Sequence, residues 1–357
     1  MLHAVVMAGG SGTRFWPQSR RSLPKQFLPI AASRTLLQET VDRCRSLVPS
    51  EQLWIVTGET HADETRRQVP ELIETNLLRE PCGRNTAPCI GLAAMRLLTT
   101  DPEAVMLVTP ADHVIHPTES FRRSVESAVA VVEREPSRLV LFGAKPTAPA
   151  TGFGYIQKGA PLSDDSPALR VTSFREKPDV ETARDYLASG EFLWNCGLFV
   201  WRADAILSEI EQHTPELFAA LCRLRDAVNT DRWADALRTE FPRLPSISID
   251  YAVLEKSDCV CVIPATFEWD DVGSWHALAR LSKLDPHNNA VEGRVCAVSS
   301  SGCIVRSSPE HLVATYGVHN LIVVHTSDAT LVADKQDEGA LRELLAELER
   351  RGLDSYL

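Results

Sequence analysis

The chain has 357 residues, 44% of them hydrophobic, with a formal net charge of -11 and a pI near 5.4. That length exceeds one small core and fits a large domain plus a smaller one. The acidic balance excludes general affinity for nucleic acid, and no apolar run approaches the roughly 20 residues of a membrane span.

Residues 2–7 (LHAVVM) read as a strand, with no leader expected before it. A glycine-rich stretch follows, MAGGSGTRFWPQSRRSLPKQ, with Arg14, Arg20, Arg21 and Lys25 behind the glycines. TLLQETVDRCRSLV puts Leu37, Val41, Cys44 and Val48 on one helical face. LWIVTG predicts a strand, ETHADETRRQV a polar helix, NLLREP a short strand and TAPCIGLAAMRLL a helix of small residues. AVMLVTPADH is an apolar strand ending in polar residues. Alternating apolar strands and helices predict a largely parallel sheet with helices on both faces. From RLVLFGAKP onward, TGFGYIQKG, LRVTSFREKPD and FLWNCGLFVWRA predict strands with few helices between them, a mixed extension of the sheet. Residues 203–241 read as helical, and Ser248 caps a helical stretch in SISIDYAVLEK.

After residue 285 the character changes to short β-rich runs separated by Gly, Ser and Asn turns. A closing amphipathic helix has Leu341, Leu344, Leu345 and Leu348 on one face, with early Asp337 and Glu338 and late Arg350 and Arg351. Its leucines face either the main domain or another subunit, and packing within the chain is favoured. The expected domains are therefore 1–285 and 286–357.

Nine scattered cysteines form no CxxC pair, which excludes a disulfide framework and a zinc cage. Buried reduced thiols in a cytoplasmic protein are expected. GGSGTR lacks the GK[ST] ending of a P-loop. A dinucleotide fingerprint fails because Phe15 stands at its third glycine. What remains is an anion loop: glycines admit backbone N–H groups, and cations add charge-assisted hydrogen bonds.

AGGSGTRFWPQSRRSLPKQFLPI resembles the signature of nucleotidyltransferases that join a sugar 1-phosphate to a nucleotide. The form with Phe15-Trp16-Pro17 and Lys25-Gln26 is most similar to the bacterial mannose-1-phosphate guanylyltransferases. EPCGRNTAPCI, TPADHVI, FREKPD, WNCGLFVW, SIDYAVLEK and WDDVGSWHAL resemble the same family, in order, across residues 1–278. The resemblance implies a Rossmann-like α/β nucleotidyltransferase domain with a small β-rich C-terminal domain, left-handed β-helix-like, in a homodimer. It implies transfer of GMP from GTP to mannose 1-phosphate, with Mg²⁺. A related pyrophosphorylase with another sugar or base, or a catalytically silent nucleotide-sugar-binding regulator, are the alternatives. Two departures stand out: Cys196 replaces the usual Ser, and with the sequence ending at Leu357 no phosphomannose isomerase domain, and so a single activity, is expected.

The resemblance assigns Arg14 and Lys25 to catalysis. It assigns Ala8, Gly9, Gly10, Ser11, Gly12, Thr13, Glu80, Gly83, Asn85 and Thr86 to the nucleotide, and Gly154, Glu176, Lys177 and Asn195 to the sugar phosphate. Asp112 and Asp271, two hard carboxylates from separate strands, are the expected Mg²⁺ ligands. Asp270 is the rival within its own motif, and His113 reads as a structural hydrogen-bonder. Arg20 and Arg21 stand evenly between phosphate contact and surface. Glu80 can accept the paired N1–H and N2–H donors of guanine, with backbone near Gly10 and Gly83 helping; the competing reading pairs it with Arg84. Cys196, beside Asn195, is expected in the sugar pocket, open to alkylation.

Overall fold

The computed structural model describes all residues except Ser11, Ala31 and Glu338, and the side chain of Ala340. Ser11 of the predicted nucleotide loop and Glu338, expected early in the predicted terminal helix, thus lie outside the described residues. Packing gathers the chain into two compact units, neither of them continuous in sequence. One comprises residues 1–9, 40–111 and 115–269; the other comprises 10–39, 112–114 and 270–357.

The first unit is built on a nine-stranded sheet. Its strands are β1 (Leu2–Met7), β2 (Leu53–Gly58), β3 (Leu77–Glu80) and β4 (Val105–Pro110), then, after the short β5 (Val114–His116), β6 (Leu139–Ala144), β7 (Tyr155–Pro161), β8 (Leu169–Arg175), β9 (Phe192–Arg202) and β10 (Val260–Pro264). The order is β3-β2-β1-β4-β9-β6-β10-β8-β7, with β9 also pairing β7. β3, β2, β1 and β4 are parallel, as are β6 and β10. β9 runs antiparallel to both β4 and β6. The sheet is thus mixed, as the extension beyond residue 138 predicts, with β9 inserted between the parallel β4 and β6.

The unit's helices are α2 (Ala62–Gln68), α3 (Thr86–Leu98), α4 (Thr118–Arg134), α5 (Val180–Ser189), α6 (Ala203–His213), α7 (Pro215–Arg225) and α8 (Trp233–Glu240), following α1 (Leu36–Arg45), which straddles both units. One sheet face packs on α3, α6 and α7, with Ile90, Ala94, Ile206 and Leu221 fully or almost fully buried. The small residues of α3 allow close approach: a Cβ on Gly91 would sit 2.5 Å from Leu221 Cδ1. The other face packs on α4 through Phe121, Val125 and Val132. The stretch after Ser248 is a π-helical turn, Asp250–Leu254, rather than an ordinary helix, and Ser248 Oγ accepts from Tyr251 N at 3.4 Å.

In the second unit, after the short β11 (Glu268–Asp270) and the helix α9 (His276–Leu281), come β12 (Ala290–Glu292), β13 (Val295–Val298), β14 (Ile304–Arg306), β15 (Val313–Tyr316), β16 (Leu321–His325) and β17 (Thr330–Asp334). β12, β14 and β16 stack in parallel, β17 closes antiparallel on β16, and β13 pairs β15 in parallel. Alternation along β14 sends Val305 to a small core with Cys303 and Val323. Ile304 faces a larger core with Phe15, Trp16, Trp275 and Ile322. The leucines of α10 (Ala340–Arg350) pack, partly buried, on that same core, so the unit covers part of their stripe. Arg20 pairs with Asp328 (2.9 Å), and Arg21 forms an exposed pair with Glu349 (2.8 Å).

Candidate active site

In the first unit, the parallel strands bring their C-terminal ends to one edge of the sheet, where ligands of open α/β sheets bind. Ala8, just past β1, is buried; its N–H donates to Val56 O (2.8 Å) and its carbonyl accepts from Thr57 Oγ1 (3.1 Å). Gly9 is exposed beside Glu80, whose Oε2 lies 3.9 Å from where a Gly9 Cβ would stand.

Glu80 itself ends β3 and is 6% exposed, yet its Oε1 has no partner among the described residues. Burial pushes its carboxyl up to about 7, against a lowering hydrogen bond with the Cys89 thiol. The predicted rival partner is engaged elsewhere: Arg84 Nη2 donates to Pro242 O. A buried acceptor without a donor is costly and calls for one. Asn85, at φ 66°, caps α3 by accepting from Thr86 N (2.9 Å), and Thr86 Oγ1 accepts from Ile249 N (2.8 Å). Both side chains hold the loop in shape, and Gly83 lies in open space beside it.

A second cluster forms where β7, β8 and β9 meet the turn at residue 250. Gly154 precedes β7, and a Cβ there would stand 2.5 Å from Glu176 Oε2, so only glycine leaves this carboxylate its place. Glu176 Oε1 accepts from Lys177 Nζ at 2.6 Å, the lysine being exposed and the glutamate buried. Asn195 Nδ2 donates to Asp250 Oδ1 (2.8 Å), its Oδ1 accepts from Gly197 N (3.1 Å), and its N–H donates to Gly154 O (2.8 Å). Burial, then the neighbouring Glu176 charge, pushes Asp250 up to about 6. The structure thus brings Gly154, Glu176, Lys177 and Asn195 together and adds Asp250, which sequence reasoning missed. Its signal lay in SIDYAVLEK, a segment noted without a role for its aspartate.

Cys196 is a correction. It is fully buried on the face of β9 opposite Asn195, packed with Leu198, Val200, Ile263 and Phe267. Successive strand residues point to opposite faces, so adjacency to Asn195 places the thiol away from it. Burial pushes its pKa far up. Alkylation of the native enzyme at Cys196 should therefore be undetectable by mass spectrometry, with or without mannose 1-phosphate; sugar-dependent labelling would return it to the pocket.

The second unit holds Arg14, Lys25, Asp112 and Asp271. Gly10 (φ 100°) and Gly12 (φ 55°) bend the loop, and a Cβ on Gly12 would collide with Lys25 N. Thr13–Phe15 form a 3-10 turn that presents Arg14, exposed, with Nη1 donating to Gly273 O at 3.3 Å. Lys25 is 8% exposed. Its Nζ lies 2.7 Å from Asp112 Oδ2 and donates to Asp271 O (2.8 Å) and Val272 O (3.0 Å). Burial raises the Asp112 pKa, but Lys25 and His113 together outweigh it and hold the carboxyl below its usual range.

The two aspartates of WDDVG divide their roles. Asp270 accepts from Arg280 (2.6 and 2.9 Å) and from Val272 N (2.7 Å). Among the described residues the Asp271 carboxylate accepts only from Gly273 N, at 3.2 Å through Oδ1. Val272 between Asp271 and Gly273 sits at φ 48°, a strained place for a β-branched residue and one that functional sites favour. Asp271, with one oxygen uncommitted, suits a cation better than Asp270. Among the described residues no group of three His, Cys, Asp or Glu side chains could hold a metal. The two hard carboxylates Asp112 and Asp271 fit Mg²⁺ of the kind that completes its shell with water and substrate phosphate.

A family model described as Nucleotidyl transferase matches residues 3–288, and one described as MannoseP isomerase/GMP-like beta-helix domain matches residues 293–348. The chain is 36% identical over 351 residues to the alginate biosynthesis protein AlgA of Pseudomonas syringae pv. tomato, covering 98% of this chain and 72% of that protein. It is 39% identical over 343 residues to a mannose-1-phosphate guanylyltransferase of Salmonella montevideo, covering 94% and 71%. A crystal structure described as a mannose-1-phosphate geranyltransferase from Thermus thermophilus superposes with a TM-score of 0.88 at 36% identity, covering 98% and 99%. With the parallel strand ends, the glycine loop and the paired aspartates in place, the chain belongs to the nucleotidyl transferase family.

Proposed function

We propose that the chain transfers GMP from GTP to mannose 1-phosphate, giving GDP-mannose and pyrophosphate. Relatives that share 36–39% of its residues over nearly its whole length support the reading, several of them named mannose-1-phosphate guanylyltransferase. The observation that carries the choice of base is the buried, unpartnered Oε1 of Glu80. Residues 1–285 form the catalytic segment and 286–357 the β-rich segment, in keeping with the family-model bounds.

A phosphate oxygen of the sugar phosphate attacks the α-phosphorus in line; the bond to the bridging oxygen breaks, and that oxygen leaves with pyrophosphate. The nucleophile is already anionic, so no side chain has to remove a proton. Rate comes from alignment and charge neutralisation. Arg14 and Lys25 face the negative charge of the triphosphate. The backbone of Gly9, Gly10 and Gly12 with Thr13 lines its path, and Ala8 anchors the loop. Glu80, with Gly83 and the loop shaped by Asn85 and Thr86, takes the base. Glu176 and Asn195 take sugar hydroxyls, with Asp250 orienting Asn195, and Lys177 takes the sugar's phosphate. Asp112 and Asp271 would hold Mg²⁺, whose charge would neutralise the leaving pyrophosphate. No helix among the described residues is long and apolar enough to cross a membrane. Nine free thiols support a cytoplasmic setting, and the exposed Val298, Leu312 and Tyr316 support a homodimer. Pyrophosphate release should require GTP and mannose 1-phosphate together; a higher kcat/KM with another nucleotide or sugar phosphate would overturn the assignment.

Glu80→Gln should weaken use of GTP and raise relative use of ITP, which lacks the N2 amino group, while leaving the sugar KM nearly unchanged. Sites built to hydrogen-bond a group discriminate strongly against its loss. An unchanged GTP/ITP preference in the folded variant would remove the carboxylate from base recognition. Stability gives a second readout. Between pH 4.5 and about 7 the unfolded chain has released the Glu80 proton while the folded chain keeps it. Wild-type stability therefore loses this contribution as pH rises through that window. The glutamine variant lacks the loss, so its unfolding free energy relative to wild type should grow up to about pH 7 and then level off, by roughly 3 kcal/mol at most.

A further inference from the structure

β14 carries a buried cation that the reaction scheme above does not use. The Arg306 side chain is 6% exposed; its Nη1 donates to Ile30 O (3.3 Å), its Nη2 to Pro29 O (2.5 Å), and Nη2 lies 3.0 Å from Glu292 Oε1. Burial lowers the Arg306 pKa and raises that of Glu292, each opposed by the other's charge, so the pair sits at a cost. The Glu292 carboxylate is half exposed, so the cost falls mainly on the buried guanidinium, which apolar residues of similar size would avoid. A planar guanidinium can do what they cannot: grip two successive carbonyls in a fixed geometry.

Those carbonyls lie at the end of the segment that begins with Lys25. Leu28 N donates to Lys25 O and Phe27 N to Pro24 O, closing a tight turn, and Phe27, Leu28 and Ile30 are buried. Gly12 packs against the Lys25 backbone. A shift at residues 29–30 thus passes to Lys25 Nζ and to the glycine loop together. Trp16 Nε1, which donates to Tyr356 O at 2.6 Å, ties the stretch between the glycine loop and Lys25 to the C-terminal residues.

We infer that Arg306 is a positioning residue for nucleotidyl transfer: held by Glu292, it fixes the Pro29 and Ile30 carbonyls and thereby sets where Lys25 meets Asp112. The inference rests on the role proposed for Lys25. It makes the β-rich segment part of the reaction geometry.

The test compares wild type, Arg306→Met, Arg306→Lys and Glu292→Gln in pyrophosphate release, with kcat and both KM values taken well below each variant's Tm. Arg306→Met should lose about tenfold in kcat, as misplacement costs, with the mannose 1-phosphate KM within about twofold. Arg306→Lys, which can still donate but without the planar fork, should fall between it and wild type. Glu292→Gln keeps the guanidinium but loosens it; it should lower kcat alone, by about threefold, and serves if Arg306→Met does not fold. Wild-type kcat in folded Arg306→Met or in Glu292→Gln, whatever the Tm, would overturn the inference. A wild-type enzyme that releases no pyrophosphate from this substrate pair would instead overturn the proposed reaction, so the two failures are distinct.

Discussion

Asp271→Asn is expected to lower kcat by about a hundredfold or more, a loss of roughly 3 kcal/mol in transition-state stabilisation. The substitution is nearly isosteric, and the amide oxygen can still accept from Gly273 N, so the turn should survive. What disappears is one negative charge and one hard oxygen donor. The Mg²⁺ concentration needed for half-maximal rate should rise with the fall in kcat, and Asp112→Asn should behave alike. Asp270→Asn is the internal control. Its carboxylate is engaged by Arg280 and Val272 N, so its loss should lower Tm while kcat at saturating Mg²⁺ falls less than about tenfold. Near-normal turnover in Asp271→Asn at limiting Mg²⁺, or a larger loss in Asp270→Asn, would move the metal to the other aspartate.

The contrast between the two aspartates shows what can be read from sequence. The motif WDDVG and the strand before TPADH mark local chemistry: polar residues at strand ends, glycines where backbone must bend. Such features depend on near neighbours, and the structure places them at strand ends and in tight turns. Choosing between Asp270 and Asp271 depends on Arg280, whose side chain reaches back ten residues. The partner of Arg84 is Pro242, and no local pattern announces it. For Cys196, adjacency in sequence suggests adjacency in the pocket, although strand alternation separates neighbours. Asp250 escapes a sequence reading because its importance arises only where β9 brings Asn195 within 2.8 Å of it. The same strand belongs to the expected mixed extension, but its insertion antiparallel between β4 and β6 is announced by no local pattern. Likewise, the terminal helix is legible from its leucine period, but the aromatic core that receives it, around Phe15 and Trp275, joins residues more than 250 positions apart.

Lys25→Ala should also cost about a hundredfold or more in kcat, while the KM for GTP rises much less. Charge builds on the leaving pyrophosphate as the bond breaks, so a cation that meets it contributes more in the transition state than in the ground state. The surroundings of Lys25 add a second signature. Its ammonium has three donors, placed by the structure toward Asp112 Oδ2, Asp271 O and Val272 O. Removing it leaves two carbonyls without this donor and takes from Asp112 its nearest cation, with His113 at 3.8 Å remaining. Burial then acts on Asp112 with less opposition, and its pKa rises. In the wild type the folded-state pKa lies below the unfolded one. The stability this contributes is present above the unfolded pKa and is lost as pH falls through the lower folded value. In the variant that contribution shrinks, and the acid limb of the rate profile should move to higher pH, because Asp112 must be ionised to act. Arginine should not rescue this position, since its larger planar fork has to enter a site shaped for a compact ammonium. A variant whose only change is a raised GTP KM, with kcat and acid limb as in wild type, would show that Lys25 serves ground-state binding alone.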